Sequence, residues 1–189
     1  MIASLSVVIP SSAQDEPSIR NMPPDSLRLR QDVCPFECCH YGRWTARKKI
    51  PVYAHERDTT ELVAIIQEGA TFDAITGNVF VERFGEVDVL KDLTGWNDEA
   101  PRYKRGDTLF LLDYHGEGYY SIWIRDTLVV DGEFFSLPRD TASVRDEFKY
   151  GVVRTEPVSR WWVRVRLADG TEGWIDMDSS VVEGSDACG

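Results

Sequence analysis

The chain has 189 residues, 42% of them hydrophobic and six of them tryptophan, enough apolar material for a packed core and too much for a disordered chain. Its formal net charge of −11 repels phosphate backbones, and the short basic stretches at 46–50 and 102–105 are too small to offset it, which argues against nucleic acid as a partner. No apolar run reaches the ~18 residues that a membrane-spanning helix needs.

In chain order, residues 2–9 are apolar and are followed by Pro10 and the small residues Ser11, Ser12 and Ala13. This reads as the back half of a secretory signal with cleavage expected after Ala13, although the usual basic start is missing. Residues 14–33 mix prolines with charges and read as a linker or a surface-hugging lead-in, so 1–33 is assigned to signal remnant and linker. From Lys48 onward, short β-type runs alternate with turn residues. They lie at 48–54, 62–67, 71–76 (stopping at Gly77-Asn78), 79–84 and 86–90. The run "LVAII" within 62–67 could also pass for a helical turn. A polar, turn-rich stretch at 91–106 separates a second series: 108–114, 119–125, 127–130, 161–167 and 171–177. Residues 140–150 hold the one short helix expected, with Asp140 or Thr141 as N-cap. The expected fold is all-β with little helix, as an N-terminal β-barrel-like domain at 34–96 and a C-terminal barrel at 97–189.

The stretch "WWVRVRLADGTEGWI", residues 161–175, resembles the distal hairpin of Src-homology-3-like barrels, of both the bacterial and the eukaryotic peptide-binding type. Gly170 supplies the positive backbone angle that a tight hairpin turn wants, and Gly173 leaves room where strands press together. Trp174 is expected to plug the barrel. Residues 108–124 look like earlier strands of the same barrel, interrupted by an insertion at roughly 131–158. Residues 46–90 resemble the opening of a second such domain more loosely, because the closing Gly-Trp hairpin is missing there. The resemblance implies two small Src-homology-3-like barrels packed together, the second better supported than the first, as in bacterial exported proteins of unknown function.

Cys34, Cys38 and Cys39 cluster together, and Cys188 stands one residue from the C-terminus. A zinc site built from them with His40 has poor spacing, since adjacent cysteines diverge and no C-x2-C knuckle occurs. A catalytic thiol would need His55 or His115 beside it, and no nucleophile motif surrounds these residues. Two disulfides fit better: the number is even, and a bond between neighbours Cys38 and Cys39 would be strained. One of the three clustered cysteines then reaches Cys188, and Cys34 pairs with Cys38 or with Cys39.

The remaining candidates are aromatic. Tyr114, Tyr119, Tyr120, Trp123, Trp161 and Trp162, with Asp169 nearby, could form a contact surface for extended or cationic peptides. Alternation places Tyr120, Ile122 and Ile124 on one face and Tyr119, Ser121 and Trp123 on the other. It also makes Trp161 core and Trp162 exposed, whereas the resemblance makes Trp161 the ligand platform. The family's Pro and Tyr after the hairpin are replaced by Asp176, Met177 and Asp178, which speaks against PxxP recognition. The sequence thus points to a secreted or periplasmic, non-catalytic module that recognises a protein, a peptide or a cell-wall component and uses no cofactor or metal. The alternatives are a structural or assembly protein with its aromatics buried between domains and, third, a cysteine-dependent hydrolase.

Overall fold

The computed structural model describes residues 22–94, 102–116, 119–133 and 151–188. The expected signal segment, the expected helix at 140–150 and the domain boundary at 96/97 lie outside them. Among the described residues the chain is nearly all β, and its helical content is confined to two 3-10 turns, at Asp25–Arg28 and Ser179–Val181. The strands are β1 (Leu29–Arg30), β2 (Gly42–Ala46), β3 (Ile50–His55), β4 (Asp58–Ile66), β5 (Thr71–Arg83), β6 (Gly85–Val89) and β7 (Thr108–Gly116). They continue as β8 (Tyr119–Ile124), β9 (Thr127–Glu133), β10 (Gly151–Thr155), β11 (Val158–Arg166), β12 (Glu172–Met177) and β13 (Val182–Glu183).

Two sheets result. The larger runs β13-β2-β5-β11-β12-β3-β4, with β1 also on β5, and the smaller runs β10-β6-β7-β8-β9. The sheets do not follow each other along the chain. After Arg83 the chain leaves the first sheet, builds the second, and returns at Val158 to lay β11 antiparallel against β5. The 161–175 hairpin therefore pairs with strands from the first half of the sequence, and residues 108–124 lie in the other sheet.

The first sheet curls into a half-barrel around Trp44, Val52, Ile66, Phe72, Val79, Trp161, Val163, Val165 and Ile175. The run 62–67 is a strand, as its β-branched residues favour. The expected break at Gly77-Asn78 is absent, and β5 runs unbroken for 13 residues. Gly77 is there for close approach and makes no turn: a Cβ at this position would collide with Trp161 Nε1 and Tyr41 Oη. Gly170 does sit in the turn with φ +87°, and a Cβ on Gly173 would lie 2.6 Å from both Tyr53 O and Val52 Cγ1. The residue that fills the half-barrel after Gly173 is Ile175. Trp174 points to the opposite face, because inward positions on β12 fall at 173, 175 and 177.

The second sheet buries Leu109, Leu111, Ile122 and Ile124 with Val87, Val89 and Tyr103 on one side. Its other side meets the first sheet through Val81, Phe84, Phe110 and Leu112, with Leu27 and Trp123 at the rim. Arg28 locks that seam: its guanidinium lies 4.2 Å from the centre of the Phe84 ring and donates to the carbonyls of Val81 and Glu82.

All four cysteines are bonded, Cys34 to Cys39 and Cys38 to Cys188. The C-terminal segment runs beside the cysteine loop, with His40 N–H donating to Ser185 O and Ala187 N–H donating to Cys38 O. The Cys38–Cys188 bond closes a loop of 150 residues and the Cys34–Cys39 bond one of 5. On chain entropy the long closure stabilises by roughly 5 kcal/mol and the short one by roughly 2 kcal/mol. The double variant Cys38→Ser/Cys188→Ser is expected to lose about two and a half times the unfolding free energy that Cys34→Ser/Cys39→Ser loses, as read by denaturant melts.

Candidate functional site

The aromatic residues singled out in the sequence do not converge on one surface. Trp161 is 7% exposed and lies inside the half-barrel, 5.8 Å from both Trp44 and Phe36 and 6.1 Å from Tyr41 by ring centroids. Its indole N–H donates to Tyr41 Oη at 3.2 Å, and the Tyr41 hydroxyl donates in turn to Val33 O. Trp162 is 2% exposed, on the opposite face beside Tyr53. Alternation does put the two tryptophans on opposite faces, yet the outer face is covered here as well. The β3–β4 turn folds back over it, with Glu56 accepting from Asn78 Nδ2 at 2.6 Å and the Arg57 guanidinium 4.1 Å above the Phe80 ring.

In the second sheet Trp123 is half-buried in the seam between sheets, and Tyr120 packs against the inner cluster. Tyr114 is exposed and lies 5.0 Å from Tyr120, while Tyr119 is half-buried at the start of β8. Asp169 is exposed in the β11–β12 turn. Its carboxyl accepts from Thr171 N–H, and these hydrogen bonds with Thr171 hold it below the usual carboxylate range.

A polar cluster that sequence reasoning did not assemble sits in the seam. β7 is covered on both faces and buried from Leu109 through Asp113, and Asp113 there receives Arg30 from β1. His115 Nε2 lies 3.1 Å from Asp113 Oδ2 and 3.0 Å from Ser121 Oγ, with Arg30 Nη1 against the same nitrogen. A serine–histidine–aspartate relay needs the serine on one ring nitrogen and the carboxylate on the other. Here both address Nε2, beside a guanidinium, and Ser121 is 4% exposed. The geometry is that of a latch joining β1 to the second sheet, with its charges matched. The donor group Cys38, Asp186 and Cys188 is equally unsuited to a cation, because both sulfurs are bonded to each other and neither is a thiolate.

Two outer strands carry exposed apolar side chains, β9 of the second sheet with Leu128 and Val130, and β4 at the edge of the first sheet, where the apolar row is longer. β4 pairs with β3, and among the described residues nothing pairs with its outer side. It carries Leu62, Val63 and Ile65 at 52%, 41% and 48% exposure, and neither lysine nor proline interrupts it. Register extends the apolar row inward: Leu62 opposes Tyr53, Tyr53 opposes Trp174, and Ile65 opposes Pro51. Directly opposed residues share a face, so these five side chains form one patch beside the free edge. The signal in the sequence was the run "LVAII", which is too apolar for a strand with only one buried side.

No protein-family model, no curated protein and no solved structure matches the chain.

Burial pushes the Tyr41 phenol up to about 12; the Asp32 carboxylate adds to the rise and donation from Trp161 opposes it. Since the folded-state value lies above the ordinary one, the stability carried by the protonated phenol is intact below pH ~10 and is lost as pH rises toward ~12. Absorbance titration at alkaline pH is expected to show one tyrosine ionising near pH 12, absent in Tyr41→Phe.

Proposed function

We propose that the protein is an exported, non-catalytic binding module that takes up an extended segment of a partner protein along β4. The observation that carries this reading is the free, nine-residue edge strand with Leu62, Val63 and Ile65 exposed on it. An unpaired strand edge presents a row of N–H and C=O groups that another backbone satisfies, and the flanking apolar row supplies pockets for alternate side chains. Exposed apolar patches of this kind mark contact surfaces in proteins that remain soluble. Export is supported by two disulfides and by the apolar segment at residues 2–9. The resemblance of residues 161–175 to a Src-homology-3-like hairpin agrees with a recognition role. The contact surface in this reading differs from the aromatic one that the sequence suggested, because Trp161, Trp162 and Trp123 serve the cores.

Leu62→Lys/Ile65→Lys places two charges on the edge without touching a buried residue. Its unfolding transition is expected to match that of the wild type. Partners from a periplasmic or extracellular extract of the source organism, cross-linked through a photoreactive residue at position 60, are expected to be captured about tenfold less well or worse. Equal capture by the variant, or cross-links that need no intact β4, would remove this edge as the site.

A further inference from the structure

The C-terminal clasp borders an open groove of about 630 Å³, far from β4 in the order of strands. One wall is the segment from Ser180 through β13 to Asp186, and the other carries Phe36 and Arg47. A volume of this size falls within the range of small-ligand clefts.

The groove is electrically polarised along its length. Arg47 N–H donates to Val181 O at 2.8 Å, which fixes Arg47 at the end where β13 begins. Asp186 pairs with Cys39 at the other end, held there by the Cys38–Cys188 bond, and Glu183 lies between the two. Among the described residues neither Arg47 nor Glu183 has an ion-pair or hydrogen-bond partner for its side chain, and the two do not pair with each other. Asp186 uses Oδ1 to accept from Cys188 N–H, which leaves Oδ2. One cationic and two acidic side chains thus line the groove together with the half-buried Phe36 ring, while Val182 turns its side chain into the first core.

We propose that this groove binds a short peptide with both termini free. Its carboxylate lies toward Arg47, its ammonium toward Glu183 and Asp186, and its apolar side chain against Phe36. Arg47 offers a planar fork suited to a carboxylate. The two acidic groups suit an ammonium, and the disulfide keeps their wall in place without a ligand, which lowers the ordering cost of binding. The site is separate from the β4 edge and stands or falls independently of it.

The test is a titration of the 15N-labelled, oxidised protein with Ala-Leu-Ala, and with the same peptide N-acetylated or C-amidated. Saturable shifts at the amides of Val182, Glu183, Gly184 and Ser185 are expected, with a Kd on the order of 1 mM. Each blocked form should bind about threefold to fivefold more weakly, the scale of one exposed charge pair. Arg47→Ala should weaken the free peptide and leave the amidated one unchanged, and Glu183→Gln should weaken the free peptide and leave the acetylated one unchanged. The Leu62→Lys/Ile65→Lys protein should bind as the wild type does. Absence of saturable shifts up to about 10 mM, equal affinity for all three peptides, or shifts confined to β4 would each overturn the proposal.

Discussion

The pairing of β5 with β11 is the constraint on which the rest of the structure depends. These strands lie side by side although residues 84–157 separate them, and their inward side chains, Val79, Ala74, Trp161, Val163 and Val165, form the middle of the first core. Non-local pairing of this kind carries a loop-closure cost before any contact rewards it. The fold offsets that cost in two ways. The described strands of the excursion bury an apolar cluster of their own, so contacts within it repay part of that cost. The Cys38–Cys188 bond also restrains the chain ends in the unfolded state, which brings β2 and β13 within reach of each other.

Much of the architecture was legible in residue order, because strand periodicity and turn residues are local signals. The runs at 48–54, 86–90, 108–114 and 171–177 became β3, β6, β7 and β12 within a residue or two. What was not legible was partnership between distant strands. Gly77 carries the same letter as a turn glycine, and its contact with Trp161 exists only once β11 has returned. For the same reason the hairpin at 161–175 suggested its sequence neighbours as sheet partners, whereas its true partners include β5 and β3. The cysteines could be read down to two pairings by sterics, and the structure has Cys34 bonded to Cys39 and Cys38 to Cys188.

The candidate site was less legible than the fold. Alternation separates the faces of a strand without saying whether the second face meets water. Trp162 meets Tyr53 and the back-folded β3–β4 turn, and Trp123 meets the other sheet. Both therefore contribute to packing. Aromatic abundance is a feature shared by cores and contact surfaces. The feature that distinguishes a surface is apolar area left over after packing, and here its longest row lies on an aliphatic edge strand, β4, flanked by Tyr53 and Trp174. The Arg30–Asp113–His115–Ser121 cluster makes the complementary point. It unites residues from three strands into a catalytic-looking set in which Asp113 and Ser121 both lie on Nε2 of His115, unlike a relay through the two ring nitrogens.

Native-state hydrogen exchange on the intact, disulfide-bonded protein tests the central claim most directly, namely that both ends of the sequence build one cooperative sheet. The amides of β5, β11 and β12 should form the slowest-exchanging group and open with a common free energy, while the outward amides of β4 exchange quickly. Unrelated opening free energies for the strands before Arg83 and those after Val158 would contradict the account, because they would describe two bodies that fold separately.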